Sequence, residues 1–126
     1  VKLNILVGSS PLETKETIGA DLKIIKELKP NAVMFGICNP FPGTEFWDVA
    51  KEKGWLIDSV YRPVDVQKEA TIEYPHLRKE DLERSVRRAN YSFYLNPGFL
   101  WRNLRKIKSP ASVVKAGRSL LRKLSR

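Results

Sequence analysis

Residues 39–54 read NPFPGTEFWDVAKEKG. Two prolines and a glycine fall within residues 40–43, directly after the apolar run AVMFGIC at 32–38. That run is short and continuous, the pattern of a strand covered on both faces. Pro40 and Pro42 have no N–H to give a sheet, so pairing must stop there. Gly43 frees the backbone, and Thr44 can cap a helix predicted over 45–53, with Gly54 closing it. The stretch therefore turns the end of a buried strand into a rigid loop that leads into a helix. In α/β folds such loops at the carboxyl ends of strands carry the ligands.

Working back towards the N-terminus, VKLNILV at 1–7 has apolar residues at 1, 3, 5, 6 and 7 and predicts a mostly buried strand. Gly8 opens a turn. SPLE at 10–13 has the form of a capping box, and Thr14 is an alternative cap for a helix starting at Lys15. Ile18, Leu22, Ile25 and Leu28 recur at helical spacing, and Pro30 stops the helix. Strand, helix and strand within the first 38 residues form a βαβ unit, whose strands should be parallel with a right-handed crossover.

Working forward, residues 55–78 hold Trp55, Tyr61, Tyr74 and two prolines and are expected to form a connection with one or two short strands. KEDLERSVRRANYSFYL (79–95) predicts a helix with Leu82, Val86, Ala89 and Phe93 on one face, broken by NPG at 96–98. FLWRNLRKI (99–107) predicts a short helix. A last helix is expected with Ser109 as cap and Pro110 at its first position. In that helix Val113, Val114, Gly117, Leu120, Leu121 and Leu124 should face one way. Lys115, Arg118, Arg122 and Lys123 should face largely the other.

Composition narrows the function. Apolar residues make up 42% of the 126, enough for a packed core. The net charge of +9 is unevenly placed. Residues 1–83 carry 11 Lys and Arg against 14 Asp and Glu, whereas residues 84–126 carry 12 Lys and Arg and no acid. Such asymmetry points the C-terminal helices at something anionic. Docking on the rest of the protein with a solvated basic face, contact with an anionic membrane, and nucleic-acid binding are all open, with nucleic acid the least favoured because the apolar positions follow helical spacing. No apolar run approaches the roughly 18–20 residues of a membrane span. No leader segment is visible, and a cytoplasmic protein is expected. A chain that opens inside a strand is expected to be the C-terminal fragment of a longer protein.

The candidate site residues each have a plain alternative. Cys38 is the single cysteine and has no ligating partner nearby, which favours a small buried hydrophobe over a catalytic or metal role. His76, the single histidine, stands in EYPHL and reads as a structural or solvent-facing loop residue. GSSPLETKET has one glycine and no Lys-Ser/Thr pair, so it is not a P-loop. Glu13 either caps a helix or contacts a ligand. Asn39 and Thr44 either serve the turn or help present backbone edges to a flat ligand ring.

GSSPLETKETI followed some 25 residues later by NPFPGTEFWDVAKEKG resembles the late part of the catalytic barrel of radical S-adenosylmethionine (radical SAM) enzymes. The resemblance is to the group with an upstream cobalamin-binding domain, which includes methyltransferases and the anaerobic ring cyclase of bacteriochlorophyll synthesis. It covers residues 1–57. Residues 58–78 are then a connecting segment and 79–126 a basic helical extension. The fold implied is α/β, the last βαβ unit of a partial TIM-type barrel followed by an α-helical extension. The cofactor-binding positions implied are Ile5, Val7 and Gly8 on the first strand, Glu13 as the acid of its turn, and Cys38, Asn39 and Pro40 at the end of the second. The turn departs from the commoner form, with one residue more between Gly8 and Glu13 and Leu12 in place of a glycine.

The resemblance implies a parent that cleaves SAM reductively to a 5′-deoxyadenosyl radical, using an iron–sulfur (4Fe-4S) cluster and in some members cobalamin, to methylate or cyclise a small-molecule substrate. The CxxxCxxC motif that holds the cluster is not in this chain. The fragment alone is therefore expected to be inactive, with the remainder of its own barrel as its main partner. The readings from another class are a stand-alone α/β module whose basic helices contact membrane or nucleic acid, and a different α/β enzyme in which PFPGTE is only a rigid loop.

Overall fold

The computed structural model describes residues 1–105 and 110–125. Two strands, β1 (Lys2–Val7) and β2 (Ala32–Ile37), pair in parallel around the helix α1 (Lys15–Leu28). Lys2 stands opposite Ala32 and Val7 opposite Ile37. Backbone bonds from Asn31 to Val1 (2.9 Å) and from Cys38 to Val7 (2.8 Å) extend the ladder at both ends. Four more helices follow: α2 (Glu45–Lys53), α3 (Lys79–Tyr94), α4 (Pro97–Leu104) and α5 (Pro110–Leu124).

The two-stranded sheet is covered on one side. Val7 from β1 and Val33, Phe35 and Ile37 from β2 join Ile18 and Ile25 of α1 and Leu82, Val86, Ala89 and Phe93 of α3 in one hydrophobic core. Leu120 and Leu124 of α5 pack against the same core. The other face carries Lys2, Asn4, Leu6 and Met34, all exposed, with Leu6 at 54% and Met34 at 43%. β1 is thus half-covered and not mostly buried. Period-two alternation puts alternate residues on opposite faces; no described helix or strand packs on the second face, where Val66 of the connecting segment lies over Gly36.

The outer edge of β2 is closed by side chains and loops instead of a strand. The Tyr94 hydroxyl of α3 accepts from the Val33 N–H at 3.2 Å and donates to the Val33 carbonyl. Ile37 N–H donates to the Val66 carbonyl at 2.8 Å. Among the described residues nothing pairs with the outer edge of β1.

Local chemistry decides the helix ends. Thr14, not Ser10, caps α1 through a reciprocal box with Thr17, at 3.2 and 2.9 Å. The SPLE segment is a turn, in which Glu13 N–H donates to the Ser10 carbonyl. Thr44 caps α2 through the Trp47 N–H, and Gly54 ends it at φ 73°. Leu28 is 65% exposed although it continues the apolar spacing of α1, because the core it would meet ends at Ile25. Asn96 caps α4 with Pro97 at its first position. In α5 the apolar positions divide: Leu120 and Leu124 turn inwards, while Val114 and Leu121 are exposed. The expected Ser109 cap lies outside the described residues.

Residues 55–78 form no strand. They are held by two isolated antiparallel bridges, Leu56 with Ile72 and Tyr74 with Leu77. They still bury Ala70, Ile72, Tyr74 and Leu77 in the core.

Candidate functional site

Parallel pairing brings the carboxyl ends of β1 and β2 side by side, so the loops after Val7 and Ile37 meet. Gly8 begins the first loop at φ 79°, a conformation that costs an L-residue with a Cβ roughly 1–2 kcal/mol. A Cβ there would also stand 3.0 Å from Leu82 Cδ2. The Glu13 carboxylate folds back over this turn. It accepts from Gly8 N–H at 2.7 Å, Ser9 N–H at 3.1 Å and the Ser9 hydroxyl at 2.7 Å. Glu13 therefore does not cap α1, and its two oxygens bind the loop's own donors.

A second staple comes from the connecting segment. The buried Tyr74 hydroxyl donates to the Gly8 carbonyl at 2.8 Å. The His76 ring stacks on Tyr74, and its Nε2 lies 2.7 Å from the Glu13 carbonyl. A carbonyl only accepts, so the proton sits on Nε2. Trp55 packs edge-on against Tyr74 at 4.9 Å between centroids. The loop after β1 is held from both sides, and its backbone positions are set before any ligand arrives.

The loop after β2 is fixed in the same manner. Cys38 is half-buried. Burial, and secondarily the Glu13 charge, push its thiol above the ordinary range. A thiol so placed stays protonated at neutral pH and is a poor nucleophile. The same environment, led by burial, pushes the Tyr74 phenol up to about 12. Asn39 is buried, and its side chain is spent on the chain itself: Nδ2 donates to the Glu69 carbonyl at 3.0 Å and Oδ1 accepts from Thr71 N–H at 2.9 Å. Pro40 is buried behind it. Among the described residues no backbone donor reaches the carbonyls of Cys38 or Pro40.

Of the positions expected to meet a cofactor, Gly8, Glu13 and Cys38 are brought together at the strand ends, with Asn39 and Pro40 continuing along the second loop. Ile5 and Val7 are not part of that group. They point to the helical face, beside Ile18 and Phe35 around a cavity of about 20 Å³. The residues of β1 on the uncovered face are Asn4 and Leu6. Tyr74 is not among the candidates read from the sequence, and His76 reads there only as a structural or solvent-facing loop residue. EYPHL was visible as a motif, but nothing in its spacing showed that the connection returns to the first loop.

No group of three or more His, Cys, Asp or Glu side chains converges among the described residues, and the chain has one cysteine. An iron–sulfur cluster needs several thiolates, so these residues do not fit one.

No family model matches this chain. Over 94 residues it is 30% identical to an uncharacterized methyltransferase of Pyrococcus horikoshii. The match covers 75% of this chain and 20% of that protein, so the chain spans about a fifth of its relative's length. No solved structure matches.

Proposed function

We propose that this chain is the C-terminal portion of a SAM-dependent enzyme of the radical SAM class, contributing the last βαβ unit of a partial TIM-type barrel and a helical extension. Methyl transfer is the reaction class that the relative's name favours. Cyclisation through cobalamin is the second outcome of the sequence resemblance. On this reading the strand-end loops 8–13 and 38–44 form part of the wall around the adenosine of SAM. The carbonyls of Cys38 and Pro40 are the acceptors for its exocyclic amine. Any cluster is held by residues outside this chain.

The observation that carries the proposal is the side-by-side placement of two internally stapled loops at the carboxyl ends of parallel strands, the position where α/β folds bind ligands. The bare edge of β1 and the exposed Leu6 and Met34 support a continuation of the sheet by further strands of the same protein.

The test is to express the coding sequence with all residues upstream of Val1, reconstitute it anaerobically with iron and sulfide, and assay 5′-deoxyadenosine release from SAM under reducing conditions. Release of the nucleoside, with a CxxxCxxC motif upstream, is the expected result. Upstream sequence without that motif would reject the radical SAM class. Methylation without 5′-deoxyadenosine would reduce the proposal to its coarser form, a SAM-dependent methyltransferase.

A further inference from the structure

The exposed side of the C-terminal helices combines two properties that rarely coexist on a solvated surface. On α4, Trp101 is 59% and Leu104 56% exposed; on α5, Val114 is 56% and Leu121 68% exposed. Positions 101 and 104 lie one turn apart, and 114 and 121 two turns apart, so each pair shares a helix face. Leu104 of α4 and Ala116, Gly117 and Leu120 of α5 line one groove of about 320 Å³ between the two helices. The inward positions are Phe99 on α4 and Leu120 and Leu124 on α5, so docking on the core leaves these strips free.

Cations flank the apolar strips. Arg105 lies over the Trp101 ring at 5.1 Å. Arg118, Arg122 and Lys115 are exposed beside Val114 and Leu121 on the outer arc of α5. None of these four forms an ion pair among the described residues, and Glu83 is the last acidic side chain in the chain. A purely solvated basic face would not expose a tryptophan and three aliphatic side chains. A nucleic-acid phosphate backbone would satisfy the cations but offer nothing to Leu104, Val114 or Leu121. Headgroups and acyl chains together satisfy both. No helix among the described residues is long and apolar enough to cross a membrane, so the contact lies in the interface plane.

We infer that the outer face of α4 and α5 docks on an anionic lipid bilayer, with Trp101, Leu104, Val114 and Leu121 entering the headgroup boundary and Arg105, Lys115, Arg118 and Arg122 neutralising lipid phosphates. The test is co-sedimentation of the protein, expressed with all residues upstream of Val1, with vesicles of phosphatidylglycerol and phosphatidylcholine in equal parts, and with pure phosphatidylcholine vesicles, at low and high salt. Binding to the anionic vesicles, weakened by salt, is expected. Arg118→Gln with Arg122→Gln should weaken it about thirtyfold. Leu121→Ser should weaken it about tenfold at either salt level. All three side chains are exposed, so the fold should persist, as far-UV circular dichroism will check. No sedimentation with anionic vesicles, equal binding to both vesicle types, or indifference to Leu121→Ser would overturn the inference. Tight binding of a single-stranded oligonucleotide that Leu121→Ser leaves unchanged and that displaces the vesicles would overturn it in favour of a nucleic-acid surface.

Discussion

The hydroxyl of Tyr94 closes the outer edge of β2, and removing it should destabilise the whole protein. Tyr94 is 2% exposed and Val33 3%. In Tyr94→Phe the ring can stay in place, packed edge-on against Phe93 and Phe99. The Val33 N–H and carbonyl then lose their partner, beside a cavity of about 450 Å³ that Val33, Tyr94 and Lys123 line. An orphaned buried donor or acceptor costs roughly 1–3 kcal/mol. Two together make about 2–6 kcal/mol, a large share of the ~5–15 kcal/mol that holds an ordinary domain. At roughly 3–5 °C per kcal/mol for a chain of this size, the melting temperature should fall by about 10 °C or more. Lys123, whose ammonium lies 3.2 Å from the same hydroxyl, loses an acceptor but remains partly exposed and adds little. Urea titration followed by far-UV circular dichroism measures the loss, and hydrogen exchange at the Val33 amide locates it. Tyr91→Phe on the exposed side of α3 serves as control and should change stability by less than about 0.5 kcal/mol. A Tyr94→Phe protein within 1 kcal/mol of the parent, or with an equally protected Val33 amide, would refute the argument that the helical extension seals the sheet (about 1 kcal/mol being the net worth of one ordinary hydrogen bond).

Two further outcomes concern the strand-end loops. Gly8→Ala combines a positive φ with a Cβ 3.0 Å from Leu82, and should cost about 1–3 kcal/mol by thermal melting; an unchanged melting temperature would show that the turn relaxes freely. Burial holds the Tyr74 phenol neutral up to about 12, above its unfolded value near 10. Its contribution to stability is therefore complete below pH 10 and lost as pH rises through about 12. Ultraviolet titration should show a phenol ionising at about 12 that disappears in Tyr74→Phe, and a profile that Tyr74→Phe leaves unchanged would contradict the placement of that hydroxyl on the Gly8 carbonyl.

The elements were legible because local rules set them. The apolar run 32–38 ended where Pro40 cannot donate, and Thr44 and Gly54 bracketed α2 as their chemistry requires. The helix over 79–94 showed its core face at Leu82, Val86, Ala89 and Phe93, and all four are buried. What misled was the extent of each apolar face. Leu28, Val114 and Leu121 continue their helical spacing yet lie exposed, because spacing gives direction around a helix axis and not whether a neighbour is present. The site was legible at the level of loops and less so at the level of roles. For Glu13 the sequence suggests two uses, capping and ligand contact. The structure gives it a third, accepting three bonds within its own loop.

Sequence by itself determined the order of strands and helices over residues 1–54, where α2 begins and ends, which strand is the more apolar, and that all the acid precedes residue 84. These are one-dimensional properties, since caps, prolines and periodicity act within a few residues. Tertiary structure alone decided that Ile5 and Val7 face helices, that Asn39 spends its amide on residues 69 and 71, and that Tyr74 and His76 return to the first loop across more than sixty residues. Contacts of that range depend on how the whole chain closes on its core, and no local preference of the residues encodes them.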